Sequence, residues 1–357
     1  MKVPPSKSVT HRALICAALA RGQSILINPL VCDDTLATAR ALEAFGVLIK
    51  KEKERWMVRG TEWKTPTRPI DCNESATTYR FLKAITEDLK ISCTLTGKPS
   101  LMKRMVGNAI TSQFLSGRLL AAPLSLSLRA TKERLPSSRQ EAIPLVSKPY
   151  VALTIDVQKK FGADLTSDEP QTYKPSTFEV EGDWSSAAFL LAAGVLHKEV
   201  VLEGLNRDSL QGDRAIATIL KEMGAEIFWS DKKLVARPSS LRAIAWDFLE
   251  TPDLYPIVKI LSLFAKGKNV FTGTERLRFK ESDRVVEMEK IVNNRKYPAH
   301  SVIDSTDHRI VMAAAVLNLA RGGKMVIKNK ECVAKSWPGF WEAMTTLSLP
   351  SPLEGEG

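Results

Sequence analysis

The chain contains 357 residues, of which 44% are hydrophobic and 25% charged, a balance typical of a globular protein with enough apolar material for two cores. The net charge is +11, but the charges are scattered and lack an aromatic-interleaved basic strip, which argues against a nucleic-acid partner. No apolar run is long enough to cross a membrane and the N-terminus lacks a signal-peptide pattern, so we expect a cytoplasmic protein without a membrane partner.

The cysteines are odd in number and show no metal-binding spacing: Cys16, Cys32, Cys72, Cys93 and Cys332. In a chain of this size, that pattern favours free thiols in a reducing compartment. It gives no indication of a metal site.

Along the chain, one pattern recurs: a polar start, a helix of small apolar residues, a glycine and a short strand. In its first clear copy Asp33 can cap a helix over residues 35–45, and Gly46 precedes a strand at 47–49. Similar stretches surround Gly162 and Gly224, which predicts a repeating unit of about sixty residues. Degenerate copies fall near residues 104–107 and 288–296. Helices that alternate with short strands predict an α/β architecture.

The first chemical motif covers residues 4–14, where a proline-rigid turn leads into a helix that runs to about residue 22. Ser8 and Arg12 lie one turn apart on one helix face. Together with Lys7 they can form a cradle for a phosphate or carboxylate at the helix start. A capped helix with solvated cations explains the same residues, and spacing alone slightly favours that interpretation.

Three further motifs open helices with small polar residues. Residues 71–82 allow close approach of a ligand to the backbone, although a plain N-cap at Ser75 explains them too. Residues 110–117 place a hydroxyl pair, Thr111 and Ser112, at another helix start. The fourth motif, residues 145–150, contains Ser147 and Tyr150.

The fifth motif, residues 276–284, has six charged residues among nine, and both signs are present. A solvated loop is the usual explanation, but acids between cations can also hold a proton donor at a phosphate site. The sixth motif, residues 306–309 with Asp307 among them, opens an apolar helix at 310–319. Residues 333–338 form the seventh and last motif. The motifs place several cations at helix starts and turns, where they can bind an anion if the fold brings them close together. These cations are Lys7, Arg12, Arg104, Lys280, Arg284, Arg309 and Lys335.

In identity and order, nine motifs resemble those of the 5-enolpyruvylshikimate-3-phosphate synthases, a family of enolpyruvyl transferases. The similarity runs from about residue 3 to about residue 347. The matching segments are residues 6–12, 95–104, 112–117, 145–150, 181–187, 252–253, 276–284, 307–309 and 335–336.

This resemblance implies an α/β (α+β) fold with two domains, each with repeated βαβαββ units and pseudo-threefold symmetry, and with one unit truncated. The implied domains are residues 8–182, with the unit shortened near 105–110, and residues 183–348, with residues 1–7 at the hinge. We expect residues 349–357 to be a disordered tail, and substrates to bind in a cleft between the domains that closes on them.

The implied reaction transfers the enolpyruvyl group of phosphoenolpyruvate to the 5-hydroxyl of shikimate 3-phosphate by addition and elimination, without a metal or organic cofactor. In this reaction Asp253 takes the hydroxyl proton, Glu281 protonates the methylene carbon and Lys7 assists departure of phosphate. The residues implied for phosphoenolpyruvate are Lys7, Ala76, Arg104, Gln113, Arg284, Arg309 and Lys335. Those implied for shikimate 3-phosphate are Lys7, Ser8, Arg12, Thr111, Ser112, Gln113, Ser147, Tyr150, Asp253 and Lys280. We expect a monomer whose partners are these two small molecules.

The chain departs from the family pattern in four places. Between Arg104 and Gln113 the family has several dozen more residues, and a shorter segment is missing between Arg284 and Asp307. The family's first strand, before Val3, is also missing, and Ala76 stands where most members have glycine. Two alternatives therefore stay open: a catalytically impaired relative that only binds ligands, and a UDP-N-acetylglucosamine enolpyruvyl transferase. The retained site residues argue against the first alternative, and the motif set against the second.

Overall fold

The computed structural model of the chain describes residues 1–105, 111–124, 147–163, 171–293 and 301–348. The chain divides into two compact units. The first unit contains Pro5–Glu181 and Leu210–Gly212, and the second contains Met1–Pro4, Gly182–Ser209 and Asp213–Gly357. The domain boundary that the sequence analysis places between residues 182 and 183 falls one residue from this change of unit.

The first unit mixes helices with short strands. Its helices are α1 (Lys7–Leu19), α2 (Asp33–Ala44), α3 (Ala76–Asp88), α4 (Pro99–Met105), α5 (Ser112–Ala121) and α6 (Lys148–Lys160). Its strands are β1 (Gly22–Ile27), β2 (Leu48–Lys51), β3 (Arg55–Gly60), β4 (Ile70–Asp71), β5 (Leu95–Thr96) and β6 (Thr177–Glu179). One sheet has the order β2-β3-β1-β6, with β1 antiparallel to β3 and parallel to β6, and β4 pairs with β5 in parallel.

The second unit has a similar mixture. Its helices are α7 (Trp184–Leu196), α8 (Ile216–Glu222), α9 (Tyr255–Leu261), α10 (Arg284–Asn293), α11 (His308–Ala320) and α12 (Phe340–Ser348). Its strands are β7 (Val200–Leu202), β8 (Glu226–Ser230), β9 (Lys233–Arg237), β10 (Leu241–Arg242), β11 (Ala245–Asp247), β12 (Ala265–Lys266), β13 (Val270–Thr272), β14 (Val302–Ile303) and β15 (Val326–Ile327). The antiparallel sheet has the order β7-β9-β8, and three parallel pairs join β10 to β12, β11 to β13 and β14 to β15.

The same arrangement occurs once in each unit. The series α1-β1-α2-β2-β3 corresponds to α7-β7-α8-β8-β9, because in both sheets the third strand pairs antiparallel with the other two. This correspondence is the structural form of the repeat that the recurring glycine pattern predicts.

Three helices of small apolar residues, α1, α7 and α11, form the middle of the two cores. Almost all of their residues are buried, and beyond the polar first turns of α1 and α11 small apolar residues recur around each helix. Glycines let strands pass close to them: a Cβ at Gly194 of α7 would collide with Val200, and one at Gly60 of β3 would collide with the carbonyl oxygen of Ala20. The helix starts that carry the sequence motifs are therefore held by packed cores. Along the described residues, no helix combines the length and apolar character that a membrane span requires.

Two predicted helix ends need correction. Helix α2 begins two residues earlier than predicted, with Cys32 as its N-cap. Asp33 is the first helical residue rather than the cap, where its carboxylate favours the helix dipole. Helix α1 ends at Leu19, before the predicted position near residue 22, because Gly22 adopts a φ of +130° and begins β1. The predicted features at 106–107, 164–165, 294–296 and 349–357 lie outside the described residues.

Candidate active site

Helix α1 begins with a capped turn that carries two of the predicted binding residues. Ser6 is the N-cap, and its side chain accepts a hydrogen bond from the backbone N–H of Val9. Lys7 forms an ion pair of 2.9 Å with Asp34, a buried carboxylate on α2 that the sequence analysis did not select. Ser8 follows in the same turn, so Lys7 and Ser8 both lie where backbone N–H groups favour an anion.

Arg12, one turn further along α1, is 2% exposed and donates only to neutral oxygens in the described chain. The acceptors are Thr154 Oγ1 at 2.8 Å, the Ser8 carbonyl at 2.8 Å, the Tyr150 carbonyl at 3.1 Å and Ser116 Oγ at 3.3 Å. Burial lowers the pKa of Arg12 to about 10. A buried cation without a carboxylate partner is a strained electrostatic arrangement, which an anionic ligand would relieve.

Arg12 also connects the helices that carry the other polar motifs. Its guanidinium lies 5.3 Å from the ring centre of Phe81 on α3 and 5.9 Å from that of Tyr150 on α6. Thr111 caps α5, and Ser112 accepts a 3.0 Å hydrogen bond from the backbone N–H of Ser147. Within the first unit, α1, α3, α5 and α6 thus meet around the motif residues.

The start of α3 forms a second polar group in this unit. Ala76 is its first residue, and Ser75 is the N-cap that the sequence analysis offered as one interpretation, accepting from Thr78 at 3.2 Å. Gln113 connects this helix to α5, because its amide nitrogen donates to Thr77 at 2.7 Å and its oxygen accepts from Arg80 at 2.6 Å.

Arg80 is a cation that the sequence analysis did not select. Burial and the charge of Arg104 lower its pKa to about 10. Arg104 itself donates to the carbonyls of Ser100 at 3.1 Å and Glu74 at 3.5 Å. The spacing in the sequence could have indicated Arg80, because Arg80 follows Ala76 by one helical turn and therefore lies on the same face of the helix.

A buried hydrogen-bond chain supports the same helix start. His11 Nδ1 lies 2.7 Å from Thr38 Oγ1, which lies 2.7 Å from Thr78 Oγ1, and Thr78 in turn donates to Ser75 Oγ at 2.7 Å. Burial lowers the pKa of His11 to about 3, so the ring is neutral around pH 7. The chain of hydroxyls therefore fixes the α3 cap without adding charge.

The second unit gathers its motif residues in an ion-pair network around Asp253. This carboxylate lies 2.7 Å from Arg284, 3.2 Å from Lys280 and 3.5 Å from Arg309. Arg284 also binds both oxygens of Asp307, at 2.8 and 3.2 Å, and these two partners raise its pKa in spite of burial. Motif residues 276–284 are only partly solvated: Leu277 and Arg284 are buried, whereas Phe279 is exposed.

Glu281 occupies the other side of this network. Its carboxylate lies 2.7 Å from His308 Nδ1 and 3.2 Å from Lys335 Nζ. Burial opposes ionisation, but His308, Lys335 and Arg284 together lower the pKa of Glu281 well below its usual value. When Glu281 is ionised, its carboxylate accepts a hydrogen bond from His308 Nδ1.

Ligand atoms of Glu281, Asp307 and His308 all lie within 4.8 Å of one another, a spacing that a metal ion could use. Both carboxylates, however, already pair with a cationic side chain: Asp307 with Arg284 and Glu281 with Lys335. A metal ion would have to displace these partners, so the donor set suits proton transfer better than metal binding.

Asp213 is a second acid that the sequence analysis missed, and no motif marks it. It is 4% exposed and accepts a hydrogen bond from the hydroxyl of Ser185, in the first turn of α7. Burial and the nearby charge of Asp253 raise the pKa of Asp213 to about 6, although Arg309 and Ser185 act in the opposite direction.

Comparison with solved structures bears on the fold. An EPSP synthase from Acinetobacter baumannii superposes with a TM-score of 0.72 at 21% identity, covering 97% of this chain and 95% of that one. The enolpyruvyl transferase NikO from Streptomyces tendae gives 0.68 at 14% identity, covering 97% and 94%. The two-domain α/β fold that the resemblance implies is thereby confirmed.

Curated relatives bear on the family. Proteins named 3-phosphoshikimate 1-carboxyvinyltransferase from Methanococcus maripaludis and Methanocaldococcus jannaschii are each 34% identical to this chain, covering 97% of it and 95% of their own length. The alignment with the first spans 409 residues, more than the 357 of this chain, so the relative has segments that this chain lacks.

The family model for EPSP synthase (3-phosphoshikimate 1-carboxyvinyltransferase) matches in two pieces, residues 1–111 and 105–344. The pieces meet at residues 105–111, where the sequence analysis places the larger missing segment. Both pieces together cover nearly the whole chain, including every motif that carries the resemblance. The chain belongs to the EPSP synthase family.

Proposed function

We propose that this protein transfers the enolpyruvyl group of phosphoenolpyruvate to the 5-hydroxyl of shikimate 3-phosphate and releases phosphate. Its family membership supports this proposal, as do the names of its curated relatives. Both substrates carry a phosphate and a carboxylate, so the site must bind several negative charges. Cations at helix starts suit such ligands, because arginine binds these groups with two parallel hydrogen bonds.

The observation that carries the proposal is the environment of Arg12. A guanidinium that is 2% exposed and bonded to neutral oxygens loses hydration without gaining a counter-ion from the part of the chain that the structure describes. A phosphate group that binds beside Arg12, Ser8 and Lys7 supplies that counter-ion. We therefore assign the phosphate of shikimate 3-phosphate to these residues. The other first-unit residues for this substrate are Thr111, Ser112, Gln113, Ser147 and Tyr150.

To phosphoenolpyruvate we assign the residues that the family resemblance implies: Lys7, Ala76, Arg104, Gln113, Arg284, Arg309 and Lys335. The second-unit cations already neutralise Asp253, Glu281 and Asp307. An arriving anion competes with Glu281 for Lys335, which raises the proton affinity of that carboxylate. Binding of phosphoenolpyruvate thus favours the form of Glu281 that carries a proton.

In the addition step, Glu281 delivers this proton to the methylene carbon of phosphoenolpyruvate, and the neighbouring carbon becomes electrophilic. The 5-hydroxyl oxygen attacks that carbon, and its proton passes to Asp253, which Lys280 orients from 3.2 Å. The product is a tetrahedral intermediate that carries both the phosphate and the new ether bond.

In the elimination step, the bond from the tetrahedral carbon to the phosphate oxygen breaks while Glu281, left as a carboxylate by the addition, takes a proton from the adjacent methyl group. The proton on Asp253 passes to the departing phosphate. Electrons of that C–H bond form the new double bond, and Lys7 stabilises the departing phosphate. The reaction thus balances without an oxidant or reductant. Water must be excluded while the intermediate exists, because water would hydrolyse the intermediate before elimination.

The proposal extends to a cytoplasmic monomer. In support of a reducing location, all the cysteines lie in described residues and are unpaired, and Cys16, Cys32 and Cys72 are buried.

The test is a steady-state phosphate-release assay on purified protein. Phosphate should appear only when phosphoenolpyruvate and shikimate 3-phosphate are both present, and UDP-N-acetylglucosamine should not replace the latter. Turnover with the sugar nucleotide alone would transfer the assignment to the rival enzyme. A melting temperature that rises with shikimate 3-phosphate, without turnover, would identify an impaired relative that retains binding.

A further inference from the structure

The short segment Leu210–Gly212 belongs to the first unit, although the residues on both sides of it in the chain belong to the second. Gln211, in its middle, is 7% exposed. A buried amide needs partners for its N–H groups and its oxygen, and it is retained where those partners are well placed.

Both ends of the Gln211 amide have such partners in the first unit. The Ser6 hydroxyl donates to its oxygen at 3.0 Å, and its nitrogen donates to Glu181 Oε1 at 2.7 Å. The backbone N–H of Ser6 also donates to the carbonyl of Glu181 at 2.8 Å. The three residues, widely separated in the sequence, therefore form one closed group of hydrogen bonds.

Glu181 decides which way the amide points. A carboxylate only accepts hydrogen bonds, so the nitrogen of Gln211 must face it and the oxygen must face Ser6. Ser6 then has to donate its single proton to Gln211. The lone pairs of the hydroxyl are left for the backbone N–H of Val9, the bond that caps α1.

The capped turn is the one that carries Lys7 and Ser8, with Arg12 one turn beyond. We infer that Gln211 is a positioning residue for substrate binding: through Glu181 and Ser6, it fixes the start of α1 and thereby the phosphate-binding side chains. This inference rests on the proposed function. Gln211 acts through Ser6 and has no assigned contact with a substrate.

The test compares three variants. Gln211→Met keeps the length of the side chain but removes both hydrogen bonds. The double exchange Glu181→Gln with Gln211→Glu restores both bonds, with the direction of the bond between positions 181 and 211 reversed, because the new glutamate accepts from Ser6 and from the new amide. Gln158→Met is the matched control, since Gln158 is another buried glutamine of the first unit, bonded to the Leu119 carbonyl and to Tyr173 Oη at 2.7 Å.

Gln211→Met should raise the KM for shikimate 3-phosphate about tenfold and change kcat much less, as expected for loss of a helix cap below a binding group. The double exchange should return KM to within about twofold of wild type. Gln158→Met should lower the melting temperature and leave KM unchanged. A wild-type KM in Gln211→Met, or the same KM increase in Gln158→Met, overturns the inference.

Hydrogen exchange without ligands keeps this test separate from the proposed function. Backbone amides of residues 7–10 should exchange faster in Gln211→Met than in wild type or Gln158→Met, and the double exchange should restore protection. If wild-type protein shows no turnover, the proposed function fails, but the exchange pattern still decides whether Gln211 holds the helix start. Unchanged protection in Gln211→Met refutes the inference, even if the double exchange does not fold.

Discussion

Two buried arginines, one in each unit, have opposite surroundings. Arg12 and Arg284 are both 2% exposed. Arg12 donates to neutral oxygens and has a lowered pKa, whereas Arg284 pairs with Asp307 and Asp253 and has a raised one. Among the described residues, the guanidinium of the first unit has no carboxylate partner, whereas that of the second unit is neutralised by protein carboxylates.

This difference separates binding from proton transfer. A cation among neutral groups gains most when an anion arrives, so the first unit suits the capture of a phosphate. A network of paired charges holds its carboxylates in fixed positions, so the second unit suits acids and bases that must keep their geometry. Replacing residues on each side of this comparison should therefore affect different measurements.

The largest effect should follow loss of the two acids of the second unit. Asp253→Ala and Glu281→Ala should each lower kcat by about 10²–10⁴-fold, as typical for a general acid or base. Binding of shikimate 3-phosphate, measured by calorimetry, should survive better in the Glu281 variant. Asp304→Ala is the matched control, since this exposed acid pairs with Lys328 at 3.2 Å. Wild-type rates in both variants would show that the roles are misassigned.

The next largest effect should be a difference in the free energy of unfolding between variants of the two arginines. Arg284→Met should lower the free energy of unfolding by about 3–5 kcal/mol, because the buried Asp307 loses its arginine partner, whereas Asp253 keeps Lys280 and Arg309. Arg12→Met removes a cation without a carboxylate partner, so its cost should be smaller, while binding of shikimate 3-phosphate is lost. Urea unfolding and calorimetry on both variants provide the check. Equal destabilisation by the two substitutions would contradict the comparison.

A smaller effect, dependent on pH, should come from Asp213. Its pKa is raised from 3.8 to about 6, so the folded protein binds this proton more tightly than the unfolded chain. The contribution of Asp213 to stability is therefore fully present below about pH 4, declines as the pH rises and is lost above about pH 6. Asp213→Asn should accordingly be more stable than wild type at pH 7.5, by about 1–3 kcal/mol.

This advantage of Asp213→Asn should vanish near pH 4, which urea unfolding at several pH values can follow. The Ser185 hydroxyl keeps its acceptor in the variant, so loss of that bond does not complicate the result. Because Asp253 is one cause of the raised pKa, the effect should shrink in an Asp253→Asn background. A difference in stability between Asp213→Asn and wild type that is the same at every pH would refute the raised pKa of Asp213.

The smallest effect should come from Ala76 in the first unit. Glycine at this position allows close approach of a ligand to the backbone, and the methyl group should hinder glyphosate, which competes with phosphoenolpyruvate in this family and is longer. Ala76 packs partly against the core, so the discrimination should be modest, about 1–3 kcal/mol at most. Inhibition of wild type and Ala76→Gly is compared at matched phosphoenolpyruvate concentration. Equal sensitivity would mean that the methyl group plays no part.

Local sequence alone determined where several helices of the site begin. The hydroxyls of Ser75 and Thr111 and the carboxylate of Asp307 cap α3, α5 and α11, and each bonds an N–H within three residues. Such short-range bonds are readable from spacing. The order of motifs likewise identified the family, because their side chains are those that phosphate and carboxylate groups require.

Tertiary structure alone decided which charges are compensated. Three of the four neutral partners of Arg12 come from α5 and α6, and the amide that orients Ser6 comes from Gln211, which lies far along the chain. Asp213 carries no motif, and its raised pKa arises from burial and from Asp253. Burial and charge pairing depend on segments that meet only after folding, so one-dimensional spacing cannot distinguish a buried cation from a solvated one.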